Sequence, residues 1–487
     1  MASLLQALQH KLQDPTIPWP SVVLGTIVSV GAVEGYISSR QRPFLNPLLH
    51  PSIPSALRPY LKGEDADETH KKSQAYARSK LNYSAVINAF DLIETLIILT
   101  GVAAPVFEAI TGFSAGGKNW TLLRGLWDLA AKLPSAGDDA DEIRRSMGFM
   151  VLTSILGSIM SIPKDLYKNF VMEEKHGFNK MTLGTFAKDA VKGLGLSMAL
   201  EVPIVGGLIK IIHWAGQDAI LRIVAWTLAF IFCVQLVMVP LYPAVIQPMF
   251  NTFTLLPEDS PVYPRLKALA EKLNFPLGKV WVINGSLRSS HSNAYFYGLP
   301  GFSKNIVIYD TLLEKSKPEE VEAILAHELG HWKGNHIPIL LVTALAQIAL
   351  SLTIYTIFLT NRPFLSAFGF SEPSLASKVL HPGTSSRVGP TIIALALASI
   401  LCAPLVTVLS FVVNNITRTL EYDADAFAVK LGPEYARNLK AALVTIHEKN
   451  LSIYGVDPVY SARHHSHPTL VERLEALDAK LEAKKEK

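Results

Sequence analysis

Residues 327–332 read His-Glu-Leu-Gly-His-Trp, and a long apolar run begins a few positions later. On a helix, His327 and His331 lie one turn apart and point the same way, so both imidazoles can hold one metal ion. Glu328 then stands beside that ion, with a carboxylate able to take a proton from water. The motif alone also occurs on solvated helix faces. Here Ala323, Ile324, Leu325, Ala326, Leu329 and Gly330 surround the ionisable groups with apolar or small side chains. Burying such groups unpaired is costly, and a metal offsets that cost.

A catalytic zinc site needs a third protein ligand and leaves one position open. The best source is the stretch Thr417-Arg-Thr-Leu-Glu-Tyr-Asp-Ala-Asp-Ala-Phe-Ala428. Glu421 and Asp425 are one helical turn apart. That suits Glu421 as a ligand and Asp425 as the acceptor for the outer nitrogen of a ligating histidine. Arg418, one turn earlier, is a candidate support, and Asp423 is out of phase and expected in solvent. A third cluster holds His464, His465, His467 and Arg473. It admits a second metal site, or a second role in the first. In that role His467 would donate to a developing oxyanion or orient a substrate carbonyl. Arg473 would pair with an acid or with a substrate carboxylate. The sequence leaves these alternatives open, and His464 and His465 read as surface residues.

The elements that position these groups follow from composition. The 487 residues are 49% hydrophobic but only 18% charged, with mean hydropathy +0.27, where soluble chains carry about a quarter charged residues. Apolar residues gather in seven runs of about the length that crosses a bilayer: Ser21–Ile37, Ala89–Phe107, Met147–Ile162, Leu194–Ile212, Ile223–Met249, Ile337–Leu359 and Thr391–Val413. The expected fold is an all-α polytopic membrane protein with a small sheet outside the membrane. Strands are predicted at Val280–Asn284 and Asn305–Tyr309, with a third within 291–298, and an amphipathic helix over Pro257–Phe275. Lys317-Pro-Glu-Glu320 opens the metal-motif helix, proline and early acids suiting a first turn. The chain divides into a five-span region (1–249), a catalytic segment (250–336), two spans (337–413) and a second catalytic segment (414–487).

Lys and Arg are dense in the loops after the first and third spans and sparse over 360–388, which reads as an irregular loop. With seven spans, the positive-inside rule puts the dense loops, both catalytic segments and the C-terminus in the cytosol. Whatever the absolute orientation, two spans separate the catalytic segments, so they share a face. The N-terminus lacks a cleaved-signal pattern. The net charge of +4 forms no stripe for nucleic acid. Cys233 and Cys402 fall in apolar runs and read as two small buried hydrophobes rather than a disulfide.

Five stretches together resemble the integral-membrane type I CAAX prenyl proteases: Pro163–Asn179, Ser289–Gly298, His327–His331, Arg418–Asp425 and Ser466–Leu474. The resemblance implies seven membrane helices around a large intramembrane chamber, capped by a cytosolic zinc-metalloprotease domain. By motif position it implies His327, His331 and Glu421 as zinc ligands, one ion per chain, and Glu328 as general base. Asn293 and His467 would hold the scissile peptide or its oxyanion. It also implies that Pro163–Lys168 packs near the catalytic domain. Thr469 and Thr417 stand where the family often has proline and serine, and neither position is a proposed ligand. The implied substrates are prenylated CaaX proteins, drawn in with membrane lipid and cut to release the last three residues. Some would be cut a second time upstream. The implied location is the endoplasmic reticulum membrane and also the inner nuclear membrane, and Lys484-Lys485-Glu486-Lys487 resembles a dilysine retrieval signal. Glu34, Asp91, Glu94 and Glu201 are candidate chamber-facing groups. Competing readings are a quality-control protease that meets translocon-associated proteins, an inactive membrane scaffold and a transporter.

Overall fold

Long apolar stretches must satisfy their backbone internally, which in a membrane leaves the helix as the natural answer. The computed structural model describes residues 2–61, 65–115, 119–133, 142–215, 220–298, 301–370 and 390–485. Among them six helices are long and apolar enough to span: Trp19–Leu45, Ala66–Leu99, Glu142–Glu173, Leu183–Ala215, Ile220–Phe250 and His336–Phe358. A seventh is bent by 64° between Thr391–Leu401 and Ala403–Leu431. Pro404, in the first turn of the second piece, cannot donate back to the preceding turn and forces that break.

Two span expectations need correction. The second helix ends at Leu99, before the expected Ala89–Phe107 stretch does, and the chain turns at Gly101 into a short apolar helix. The seventh expected span is two helices, the second running 18 residues past Val413 to Leu431. That overrun carries Glu421 and Asp425 on one continuous helix, as their one-turn spacing predicted.

The apolar windows of the spans are only 6–17% buried. Helices packed into a solid bundle would bury their inner faces, so these surround a membrane-embedded chamber. At one end the chamber is closed by an apolar cluster that includes Trp19, Trp127, Phe149, Phe358, Phe364 and Leu397. Polar groups within the spans find partners: Lys164 Nζ lies 2.8 Å from both Asp91 and Glu94, Ser154 donates to Glu201 at 3.1 Å, and Arg463 donates to Glu34 at 2.8 Å. Both cysteines are free, and Cys402 is buried as expected. Cys233 is exposed, because a span around a chamber offers surface on two sides.

At the other end lies a four-stranded sheet of β1 (Phe253–Leu255), β2 (Leu277–Ile283), β3 (Ala294–Tyr297) and β4 (Lys304–Tyr309), in the order β1-β2-β4-β3. β2 and β4 run parallel, with Val280 opposite Ile306. The outer pairs are antiparallel, so β3 is an edge strand. β1 went unforeseen because three residues are too few to show a period. One sheet face packs on the helix Pro318–Lys333 through Val280, Ile306, Ile308, Val321, Leu325 and Leu329. Pro163–Lys168, expected as a segment after the third span, lies inside the third spanning helix with Lys164 on Asp91 and Glu94, and it is the later Phe178 and Asn179 that reach this part. Asn179 bridges to Ser289, and Phe178 stacks on His291 at 4.4 Å. Residues 371–388 of the expected irregular loop, and the last two residues of the dilysine-like tail, lie outside the described residues.

Candidate metal centre

The helix Pro318–Lys333 opens as its first residues dictate, with the Lys317 backbone N–H donating to Glu320 Oε2 at 3.1 Å. Its apolar side faces the sheet, and the opposite side meets the helix Ala403–Leu431. Gly330 sets that approach. A Cβ there would stand 3.0 Å from Ala424 Cα and 3.1 Å from its carbonyl oxygen, so any larger residue would push the two helices apart.

The contact brings Glu421 to the two histidines. Its Oε2 and Oε1 lie 3.4 Å from His327 Nε2 and 3.3 Å from His331 Nε2, and the two Nε2 atoms are 3.2 Å apart. Tetrahedral zinc at its usual ligand distances separates neighbouring donors by about 3.3 Å, so two imidazoles and a carboxylate form a metal-sized cradle. Glu421 Oε2 is buried without a well-formed hydrogen bond, though His467 Nδ1 is 2.9 Å away. A cation satisfies an oxygen in that condition. The donor set and its spacing therefore fit a metal.

Both outer ring nitrogens are engaged, which aims the Nε2 lone pairs inward. His327 Nδ1 lies 2.9 Å from Asp425 Oδ1. Burial works against a charged His327, but its bonds to Asp425 and Glu421 prevail and raise it to about 9. Asp425 is held in turn by Arg473, through Nη2 to Oδ1 at 2.6 Å and Nε to Oδ2 at 2.9 Å. Arg473 is thus committed to an acid, and the substrate-carboxylate alternative for it falls away. Burial raises the Glu328 carboxyl above the ordinary glutamate range, nearer the value a base needs at neutral pH.

His331 has a partner that sequence reasoning missed. His336 Nδ1 lies 2.8 Å from His331 Nδ1, and the His336 ring is buried. The left-handed Asn335 (φ 54°) turns the chain there, and a Cβ at Gly334 would overlap the His336 ring. A third histidine just before an apolar run was the available signal, but it stands one residue outside the expected span Ile337–Leu359 and four-residue spacing did not single it out. Replacing His336 with phenylalanine should weaken metal binding by about 10- to 100-fold, measured by competition with a chelator. Unchanged affinity would show the contact to be incidental.

The remaining candidates separate clearly. His467 sits in the turn before the last helix, with its ring at the Glu421 carboxylate and its side chain 63% exposed. Asn293 stands at the head of β3, where its Oδ1 accepts from the Ala294 N–H at 2.8 Å. Its amide nitrogen makes no hydrogen bond among the described residues. Arg418 does not support Glu421 directly. It pairs with Glu472 at 2.8 Å and with Ser461 at 3.2 Å, and Glu472 in turn accepts from the Thr469 N–H, so Arg418 steadies the turn that carries His467. His464 is exposed as expected, lying 3.4 Å from Glu34, whereas His465 is half-buried. Among the described residues the one group with metal-ligand spacing is His327, His331 and Glu421, so the second metal site is not formed. Asp423 is exposed, as its phase predicted.

Comparison with known proteins gives the family. Residues 48–252 match the family model described as CAAX prenyl protease N-terminal, five membrane helices, and residues 258–481 match peptidase family M48. The CAAX prenyl protease 1 of Saccharomyces cerevisiae is 37% identical, over 98% of this chain and 99% of its own length. The Homo sapiens homologue is 32% identical over 91% and 92%. The crystal structure of S. mikatae Ste24p superposes with a TM-score of 0.81 at 34% identity, covering 95% of this chain and all of that one. Helices around a chamber, a sheet-backed His-Glu-x-x-His helix and a glutamate from the helix Ala403–Leu431 thus come with matching sequence from end to end, and the chain belongs to the CAAX prenyl protease 1 family of M48 membrane metallopeptidases.

Proposed function

We propose that this protein is a zinc-dependent endopeptidase that removes the last three residues from prenylated CaaX proteins. The observation that carries the reading is the convergence of His327, His331 and Glu421 beside a free strand edge at the head of a membrane chamber. When bound at those three side chains, zinc supplies Lewis-acid polarisation and acidifies water. Glu328 takes the proton from the attacking water and passes it to the departing amine. His467 donates to the developing oxyanion. Asn293 holds substrate main chain, and the unpaired edge of β3 accepts the peptide as an added strand. Backbone pairing reads side chains weakly, so the prenyl group supplies affinity. It partitions into lipid and enters from the side, while the peptide meets water.

In this reading 250–336 and 414–487 act as one cytosolic catalytic unit on the membrane regions 1–249 and 337–413. The enzyme resides in the endoplasmic reticulum membrane, and some substrates receive a second, upstream cut. The test is cleavage of a C-terminal peptide by the detergent-solubilised full chain, with prenylated and unprenylated forms side by side. Cleavage after the prenyl-cysteine that disappears on metal stripping and returns with zinc is expected. A preference for the prenylated peptide of at least about tenfold should follow, since a buried apolar chain contributes about 0.8 kcal/mol per CH2. Equal cleavage of both forms would point instead to clearance of misfolded chains, and cleavage of neither would end the prenyl-processing reading.

A further inference from the structure

The short helix Pro458–His464 ends three positions before His467, and it is strapped to the first span at both ends. At its start Asp457 receives a two-point contact from Arg40, Nε to Oδ1 at 3.1 Å and Nη2 to Oδ2 at 3.0 Å. The adjacent Gln41 Oε1 accepts from the Asp457 N–H at 2.8 Å. At its end Arg463 Nε donates to Glu34 Oε1 at 2.8 Å, and His464 Nε2 lies 3.4 Å from Glu34 Oε2. Glu34 and Gln41 are two helical turns apart and share one face of the span. The short helix runs back along that face.

The long helix Ala403–Leu431 holds the same piece from another side. Ser410 Oγ accepts from Arg463 Nη1 at 2.8 Å, and Asn414 Nδ2 donates to the carbonyl oxygens of Ala462 and Arg463 at 3.2 and 2.8 Å. Arg418, one turn further on, reaches Ser461 at 3.2 Å. These three side chains lead along the helix toward Glu421. Arg463 therefore bridges the first span and the helix that supplies the third donor of the metal cradle. On the far side of His467, Pro468 is buried and the Thr469 N–H donates to Glu472 at 2.7 Å. The turn that carries His467 thus begins and ends on fixed points.

A carboxylate within a membrane span is costly, and its retention points to function. Arg40 and Asp457 already attach the short helix to the span, so attachment alone does not need Glu34. A second strap fixes direction: it sets how the chain leaves the helix toward His467. That imidazole is 63% exposed, with little packing to hold it, so its aim depends on the backbone that carries it. Resting on the oxyanion role given to His467 above, we propose that Glu34 is a positioning residue for the reaction. Acting through Arg463, it holds the His467 turn where the imidazole meets the developing charge. Such a donor must stand within hydrogen-bond reach of the oxyanion, and a displacement of about 1 Å costs about a hundredfold in rate.

The test is a cycle of Glu34→Met and His467→Ala in the metal-loaded full chain, read with a prenylated peptide and with metal content. Methionine suits an apolar span and keeps the length of the side chain. Glu34→Met alone should lower kcat by about ten- to a hundredfold and leave KM and metal content as they are. In the His467→Ala background it should cost nothing further, since the group it aims is gone. Arg463→Met, which removes the other half of the strap, should give the same pattern in both backgrounds. Wild-type turnover by Glu34→Met, or an equal further loss without His467, would overturn the inference and leave the oxyanion role standing. Loss of metal from both strap variants would overturn it too, because the strap would then hold the fold. Wild-type turnover by His467→Ala would end the oxyanion role and the inference with it.

Discussion

Glu328→Gln should lower turnover of a prenylated peptide by about 10²–10⁴-fold and leave metal content and fold as they are. Glutamine keeps the volume and the planar head but cannot accept the proton of the attacking water. Glu328 makes no hydrogen bond among the described residues, so no structural contact is lost. Burial has raised its carboxyl above the ordinary range, the direction a general base working near neutral pH requires. The contrast is Glu421→Gln. There a donor of the cradle changes, and the metal itself should be lost. Elemental analysis beside peptide turnover separates the two variants. A Glu328→Gln enzyme that keeps more than a tenth of wild-type turnover with metal in place would remove Glu328 from the role of base.

The residues legible in sequence were those whose partners lie one helical turn away or must exist for chemical reasons. His327 and His331 are four apart, so local geometry suffices. Glu421 followed from the need for a third ligand, and Asp425 from the need for a partner at an outer ring nitrogen. Both sit on one helix face, buried as expected. His336 did not follow, because its contact with His331 depends on a left-handed turn at Asn335 that period and propensity do not reveal. Arg418 went astray for the opposite reason. Phase along its own helix points to Glu421, but Glu472 from the final helix claims the guanidinium, a tertiary choice that outranks a local one. The second span was set too late because the polar half of Ala66–Leu99 hides its start. Six of the seven expected spans stand as single long helices and the seventh only as a bent pair, since hydrophobic length is fixed by the bilayer and needs no partner.

Arg473→Met should destabilise the folded chain by about 3–5 kcal/mol, the cost of leaving a buried charge without its partner. Asp425 is 1% exposed, and both its oxygens are bound by the guanidinium in a two-point contact. Methionine fills much of the space but offers no donor, so the carboxylate would keep His327 as its one close partner. The loss would also reach the metal, because the ring that Asp425 orients would be free to turn. Pairing the change with Asp425→Asn provides the decisive comparison. The amide carries no charge to compensate, and its oxygen can still accept from His327 Nδ1. The double variant should therefore recover part of the lost stability, with a coupling of about 0.5–3 kcal/mol between the two positions. Unfolding of the four metal-saturated proteins under one detergent condition measures it. If the single changes simply added, or if Arg473→Met unfolded like wild type, the ion pair would be a neighbour of the site and not its buttress.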